Sequence, residues 1–308
     1  MVASYVGGDI VAGILGSGIF QRETLTLYMD IGTNGEIVLG NKDWLASASC
    51  SAGPAFEGAG IKFGMRATRG AIEEVSINPR TYEPMILTLG RAKPIGICGS
   101  GLIDTVAELL EAGLIDQNGK FRRDLPTDRV RKGPDGYEYI LARKEETQIH
   151  KDIVLTEIDI ENLIRTKASI YAGCKVLLDS VGLSFKDLQQ VIIAGGFGRH
   201  LDLEKAIFIG LLPEADIEKF IFVGNGSLLG ARLLSFSKNL LKETERIALM
   251  MTNLELSNHP TFMNEFIAAM FLPHTDSSAF PLVMGRLHRS RREYRNVKIE
   301  MSNDSILN

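Results

Sequence analysis

An acidic, glycine-rich turn is the stretch of the sequence best suited to chemistry. Asp30 ends a β-prone run and is followed at once by small and polar residues, namely Gly32, Thr33, Asn34 and Gly35. Successive backbone N–H groups in such a turn form a concave nest for phosphate oxygens. A carboxylate beside the nest can hold Mg²⁺ through water or orient an attacking water. The turn therefore indicates a phosphate site, and the alternative is an ordinary hairpin with an Asp at its bend.

A β-hairpin is expected to position this turn. Two β-prone runs, Leu25 to Asp30 and Glu36 to Leu39, flank it. The Asn34-Gly35 pair predicts a tight two-residue turn, because Asn and Gly tolerate the positive φ that such turns require.

A second glycine-rich loop follows the apolar run Val191 to Ala194, which predicts a buried strand. The loop consists of Gly195, Gly196, Phe197 and Gly198. Ligands of open α/β sheets bind outside the carboxyl ends of strands. Glycines there let the backbone lie flat against an adenine or ribose, where a Cβ would collide. The spacing is not GxGxxG, which disfavours a dinucleotide fold.

The same pattern occurs a third time. Phe220 to Val223 predicts a buried strand, and Leu228 to Phe236 predicts a helix with Gly230 and Ala231 at a helix crossing. The loop between them contains Gly224, Asn225 and Gly226. Near the start of the chain, VGGDIVAGILGSGI predicts either a helix that crosses another or a buried core helix, and both readings stay open.

The remaining elements carry weaker signals. A Gly-Ser-Gly loop before the helix at 102–112 indicates an anion site or a tight strand-to-helix turn, with neither favoured. Residues 116–156 are polar and are expected to form an irregular, solvated insertion. Thr156 is expected to cap a long helix that ends near Val181, with Lys167 on its solvent-exposed face or at the edge of a nucleotide cleft.

Length and composition limit the number of domains and the kinds of partner to be expected. The 308 residues are 45% hydrophobic with a net charge of -4, which predicts one large or two medium domains and no nucleic-acid partner. No apolar run reaches membrane-spanning length and no signal core is recognised, so a cytoplasmic protein without membrane contact is expected. Cys50, Cys98 and Cys174 lack metal-binding spacing and are expected to be small buried hydrophobes.

The three motifs occur in the same order as in a known superfamily of proteins, and in this they resemble its members. The order resembles the second phosphate hairpin, adenosine loop and second connecting helix of the acetate and sugar kinase, heat-shock chaperone and actin superfamily. Within it, YVGGDIVAGIL, MDIGTNGEIVLGNKDWL, SCSAGPAFEGAGIKFGMRA, GICGSGLID, VIIAGGFGRHLDLEKAIFIGLLP and FVGNGSLLGARLL are similar to the C-terminal domain of the reductive activators of corrinoid proteins. The similarity covers roughly Val6 to Pro281.

The resemblance implies a fold and a domain organisation. The expected fold is α/β, an actin-like (ribonuclease H-like) ATPase lobe with a mixed sheet and flanking helices, incomplete at its N-terminus. Residues 1–281 would form this domain, and residues 282–308 a basic, disordered tail.

The resemblance also implies an activity. In that family ATP binding and hydrolysis drive electron transfer from an iron–sulfur domain to a corrinoid cobalt, returning Co(II) to Co(I). ATP, Mg²⁺ and a corrinoid protein are therefore the expected ligands and partner, and a homodimer stays open. Asp30 and Thr33 would be catalytic, with Asp30 holding Mg²⁺ through water. The phosphate side would include Gly32, Asn34 and Gly35, the adenosine side Gly195, Gly196, Phe197 and Gly198, and the hinge-side loop Gly224, Asn225 and Gly226.

Two family features are absent from this sequence. The family carries an amino-terminal [2Fe–2S] domain with clustered cysteines, which is expected only upstream of this chain, and DIGT occurs here once although the superfamily uses two phosphate hairpins. Half of the ATP site is therefore expected to be missing. The alternatives are a non-catalytic docking scaffold for the corrinoid protein and a small-molecule kinase of the same superfamily. The kinase would need a substrate pocket at 61–150, where no paired acids suggest one.

Overall fold

The computed structural model describes residues 6–32, 34–196 and 201–289. The strands are β1 (Thr26–Ile31), β2 (Gly35–Gly40), β3 (Leu45–Cys50), β4 (Ala71–Ile77), β5 (Pro84–Thr88), β6 (Gly96–Ile97), β7 (Val130–Gly133), β8 (Gly136–Ala142), β9 (Ile153–Thr156), β10 (Gln190–Ala194), β11 (Phe220–Gly224) and β12 (Met251–Leu254). The helices are α1 (Gly8–Ser17), α2 (Gly99–Glu111), α3 (Glu157–Ser180), α4 (Leu203–Phe208), α5 (Gly226–Phe236), α6 (Asn239–Met250), α7 (Phe262–Ala269) and α8 (281–289).

The chain divides into two compact units. The first unit contains Met1–Glu57, Arg165–Leu203 and Ala215–Ala269. The second contains Gly58–Ile164, Glu204–Glu214 and Met270–Asn308. The division falls within α3, so this helix contributes residues to both.

A six-stranded mixed sheet forms the first unit, in the order β11-β10-β1-β2-β3-β12. β1, β2 and β3 form an antiparallel meander, while β10 runs parallel to β1 and β11 parallel to β10. The carboxyl ends of β1, β10 and β11 therefore share one edge of the sheet. The expected mixed α/β fold is confirmed.

The hairpin between β1 and β2 differs from its predicted form. Ile31 pairs with Gly35, so three residues, 32–34, connect the strands. Gly35 also pairs with Cys50, and a Cβ on Gly35 would lie 2.7 Å from the Cys50 Sγ. The predicted two-residue Asn34-Gly35 turn is wrong, because close packing against β3 makes Gly35 a strand residue.

Glycines bring α1 and α5 together in the first unit. A Cβ on Gly16 would lie 3.0 Å from the Gly226 carbonyl oxygen, and one on Gly230 would collide with the Ala12 carbonyl. α1 is thus both a crossing helix and a core helix, with Ile10 and Ile14 almost wholly buried. Ala231 is exposed and lies outside the crossing, contrary to prediction.

Two strands of this sheet were misjudged from sequence. In β11 only Phe220 is buried, because this strand lies at an edge of the sheet. The predicted fully buried strand is therefore wrong. β12 was not predicted at all, since its MTNL sequence lacks strand periodicity.

The second unit contains two three-stranded sheets, in the orders β5-β4-β6 and β7-β8-β9. The latter is antiparallel and occupies part of residues 116–156, where irregular chain was predicted. The Gly-Ser-Gly segment, predicted as a loop before the helix, is instead the first turn of α2. A Cβ on Gly101 would collide with the Ile72 carbonyl, so this glycine lets α2 pack closely on β4.

The predicted disordered tail does not begin at 282. Residues 281–289 form α8, in which Val283 and Leu287 are buried. Arg286 Nε donates to Glu111 at 2.6 Å. The rest of the predicted tail, 290–308, lies outside the described residues.

α3 begins as predicted at Thr156. The Thr156 N–H and hydroxyl both donate to Asp159, whose own N–H donates back to the Thr156 hydroxyl. Lys167 is completely buried, and burial lowers its pKa well below the usual value, so the solvent-exposed placement is wrong. No helix among the described residues combines the length and apolar character needed to cross a bilayer.

Candidate functional site

Three loops of the first unit converge at the carboxyl edge of its sheet. Asp30 pairs in register with Ala194 of β10 and with Glu36 of β2. The Gly195 N–H donates to the Gly224 carbonyl at 2.9 Å. The predicted acidic turn, Gly195 at the start of the GGFG loop and the loop after β11 therefore lie side by side.

Asp30 is a half-buried carboxylate at the centre of this edge. Ser227, in the first turn of α5, lies 3.5 Å from it and donates from Oγ to Oδ2. Burial, and then the negative charge of Asp9, raise the pKa of Asp30, while the Ser227 and Tyr28 hydroxyls act in the opposite direction. Asp30 thus remains accessible enough to meet a ligand and has a strengthened affinity for positive charge.

Two further carboxylates belong to this cluster, and sequence reasoning missed both. Glu36 lies directly across the hairpin from Asp30, and burial followed by the charges of Asp30 and Asp9 raises its pKa to about 7. Asp9 lies in the first turn of α1. The proximity of Glu36 to Asp30 depends on the hairpin register, and an acid near a helix start such as Asp9 is common in sequences, so neither residue carried a signal of its own.

Gly195 allows the loops after β1 and β10 to approach closely. Its φ is +107°, and a Cβ would lie 2.6 Å from the Ile31 carbonyl oxygen and 3.4 Å from Asp30 Oδ1. Gly196 is exposed beside it. Phe197 and Gly198, the other predicted adenosine residues, lie outside the described residues.

The loop after β11 leads directly into α5. Asn225 caps this helix by accepting from the Leu228 N–H at 2.8 Å. Gly224 has a φ of +66°, and Gly226 is buried against the Tyr28 hydroxyl, where a Cβ would collide. The predicted hinge-side residues thus hold the N-terminus of α5 close to Asp30.

The residues predicted for the phosphate side occupy different structural positions. The Gly32 N–H donates to the Asn34 carbonyl at 3.1 Å, which uses one of the N–H groups of the turn internally. Asn34 is exposed, and Thr33 lies outside the described residues. Gly35 is buried in β2 against Cys50, so the structure assigns it a packing contact rather than a place in the turn.

The donor chemistry of this edge fits a nucleotide with Mg²⁺. Mg²⁺ keeps several waters and takes few carboxylate ligands when it binds with phosphates. Among the described residues, no group of three or more His, Cys, Asp or Glu side chains could hold a metal ion. A [2Fe–2S] cluster does not fit the cysteines of this chain, because three buried thiols cannot supply four thiolates.

Comparison with known proteins places this fold in a family. The family model described as the C-terminal domain of RACo, the ASKHA domain, matches residues 24–284. The corrinoid activation enzyme RamQ of Eubacterium limosum is 36% identical over 87% of this chain and 46% of its own length. The [Co(II) methylated amine-specific corrinoid protein] reductase of Methanosarcina barkeri is 28% identical over 86% of this chain and 49% of its own length.

A solved structure has the same fold. The reductive activator for corrinoid, iron–sulfur protein superposes with a TM-score of 0.87 and 55% identity, over 91% of this chain and 45% of that chain. This chain thus spans about half the length of the relatives it matches. The chain belongs to the family of the C-terminal domain of RACo, the ASKHA domain.

Proposed function

We propose that this chain is the ATP-binding and ATP-hydrolysing domain of a reductive activator that returns a corrinoid protein from Co(II) to Co(I). The observation that supports this most is the position of Asp30, at an edge where three glycine-rich loops meet. The names of the relatives, a corrinoid activation enzyme and a corrinoid protein reductase, supply the substrate class.

Each loop has a proposed part. The turn at 32–34 holds the terminal phosphate, with Thr33 and Asn34 beside it, and the GGFG loop seats the adenosine. The N-terminus of α5, at Asn225 and Gly226, is the third wall. Mg²⁺ neutralises charge on the phosphates when bound.

Asp30 is proposed to orient the attacking water and to hold Mg²⁺ through water. Its half-buried position strengthens its electrostatic interactions relative to those of an exposed carboxylate. Ser227 fixes one oxygen of the carboxylate, and Asp9 and Glu36 add negative charge that favours a cation at this point.

Nucleotide turnover is proposed to alter how the protein contacts its corrinoid partner. α5 begins at the site and crosses α1 through Gly230. A shift of this helix start would therefore be transmitted to the crossing, since tightly packed helices move as units rather than deform.

The test is a combined assay with a Co(II) corrinoid protein and a low-potential reductant, which supplies the electron because the cysteines of this chain do not fit a [2Fe–2S] cluster. Formation of Co(I) is followed by its absorbance, and phosphate release is measured in the same sample. We expect both to require ATP and to fail in Asp30→Asn, with Asp43→Asn as an exposed control that keeps them. Binding of the corrinoid protein without phosphate release or Co(I) formation would favour the docking-scaffold alternative and contradict this proposal.

A further inference from the structure

Tyr28 occupies an unusual position beneath the candidate site. It lies on β1 two residues before Asp30, and its side chain is fully buried. Because side chains alternate along a strand, Tyr28 and Asp30 are on the same face of the sheet. Tyr28 belongs to a hydrophobic cluster with α1 residues such as Ile10 and Ile14.

Two glycines make room for the Tyr28 hydroxyl. A Cβ on Gly13 of α1 or on Gly226 of α5 would collide with this oxygen. The hydroxyl therefore lies where α1, α5 and the end of β1 meet. A residue larger than glycine at position 13 or 226 would displace the hydroxyl.

The hydroxyl makes no hydrogen bond of normal geometry to any residue that the structure describes, although it lies close enough to Asp30 to lower the pKa of that carboxyl group. Buried donors without a hydrogen-bond partner are destabilising and rare in proteins, so this one calls for an explanation. Burial, followed by the negative charge of Asp30, raises the pKa of Tyr28, which keeps the hydroxyl protonated and able to donate. The Tyr139 hydroxyl, by contrast, is equally buried but donates to the Tyr82 carbonyl at 2.8 Å.

We propose that Tyr28 is a positioning residue for the nucleotide and metal site, whose hydroxyl donates a hydrogen bond to the Asp30 carboxylate when Mg·ATP is bound. Hydrogen bonds at catalytic sites are often long in the free protein and tighten only in the ligand complex. The bond would fix the second carboxylate oxygen, opposite the one held by Ser227. It would also link Asp30 to the crossing of α1 and α5. This inference rests on the proposed nucleotide function.

The Tyr28→Phe variant tests the proposal, because it removes the hydroxyl and keeps the ring. We expect its midpoint of urea unfolding to stay the same or rise, since an unsatisfied buried group is lost. The dissociation constant of Mg·ATP, measured by calorimetry, should rise about tenfold, as for loss of a hydrogen bond to a charged group. Binding of ATP without Mg²⁺ should be unchanged, which a merely structural role would not predict.

A double-mutant cycle and a spectroscopic readout assign the effect to Asp30. In an Asp30→Asn background, Tyr28→Phe should change Mg·ATP affinity no further. The ¹³Cζ resonance of Tyr28, identified by its loss in Tyr28→Phe, should shift when Mg·ATP is added to the wild-type protein. Tyr139→Phe is the matched control, and should lower the unfolding midpoint while leaving Mg·ATP affinity unchanged.

Two failures can be told apart. If the wild-type protein binds Mg·ATP and Tyr28→Phe binds it equally well, with no shift of the Tyr28 resonance, this inference is overturned and the proposed function stands. If the wild-type protein does not bind Mg·ATP, the proposed function fails and this role fails with it.

Discussion

At the scale of single residues, the site is defined by carboxylates that the fold holds close together. Asp30 and Gly195 could be predicted from sequence, because one lies at the carboxyl end of an apolar strand and the other directly after one, where ligands of open α/β sheets bind. Glu36 and Asp9 could not, since their proximity to Asp30 depends on the hairpin register and on the placement of α1. Tyr28 reads as an ordinary strand residue in sequence.

Glu36 gives the free protein a pH-dependent stability. Its pKa is raised from 4.5 to about 7 in the folded state. The contribution of Glu36 to the free energy of unfolding is therefore fully present below about pH 4.5 and is lost as the pH rises through 7. We expect Glu36→Gln to be more stable than wild type by about 1–2 kcal/mol at pH 8 and similar to it at pH 4.5, measured by urea unfolding without nucleotide or Mg²⁺.

Glu74→Gln is the control for this prediction, because Glu74 is an exposed strand residue. Its stability should follow the wild-type pH profile. A Glu36→Gln variant whose pH profile parallels wild type between pH 4.5 and 8 would show that Glu36 does not titrate in this range.

At the scale of elements, the crossing of α1 and α5 decides where the third loop lies. The small residues of both helices were visible in the sequence, which is why a helix crossing could be predicted. The choice of Gly230 over Ala231 as the contact could not, because it depends on the rotation of α5 about its axis. The same limit applies to β11, whose apolar sequence does not reveal that it lies at an edge.

Gly230→Ala tests this crossing. Its Cβ would collide with the Ala12 carbonyl, so the helices must separate. We expect the free energy of unfolding to fall by about 1–3 kcal/mol, as for overpacking, despite the higher helix propensity of Ala. Ala231→Ser, one residue along on the exposed face, should change stability by less than about 0.5 kcal/mol. A Gly230→Ala protein as stable as wild type would mean that the two helices are not in close contact.

At the scale of the whole molecule, the first unit carries the candidate site and the second has its own internal ion pairs. Lys205 of α4 lies 2.9 Å from Asp104 and 3.4 Å from Glu108, and it also donates to the Val75 carbonyl. Burial by itself would lower the pKa of Lys205. The Asp104 and Glu108 carboxylates have the larger combined effect, and the pKa of Lys205 is raised. The motif order gave the fold class, whereas the division into units follows from long-range contacts that no local pattern encodes.

Lys205→Met should destabilise the protein, because it leaves the buried Asp104 carboxylate without its cation. Breaking such a pair costs about 3–5 kcal/mol, which urea unfolding would detect. Lys42→Met removes an exposed pair with Glu23 and should change stability by less than about 1 kcal/mol. Equal effects of the two substitutions would contradict a structural role for Lys205.

The proposed function requires the turn after Asp30 and the loop after Ala194 to bind one Mg·ATP together. The most direct measurement is calorimetric titration of Mg·ATP into the wild-type protein and into Asp30→Asn, with the fold of each checked by circular dichroism. We expect saturable, Mg²⁺-dependent binding to wild type that is weakened at least about tenfold in Asp30→Asn, as for loss of a charged contact. Absence of binding to the wild-type protein, or equal binding by a folded Asp30→Asn variant, would contradict it.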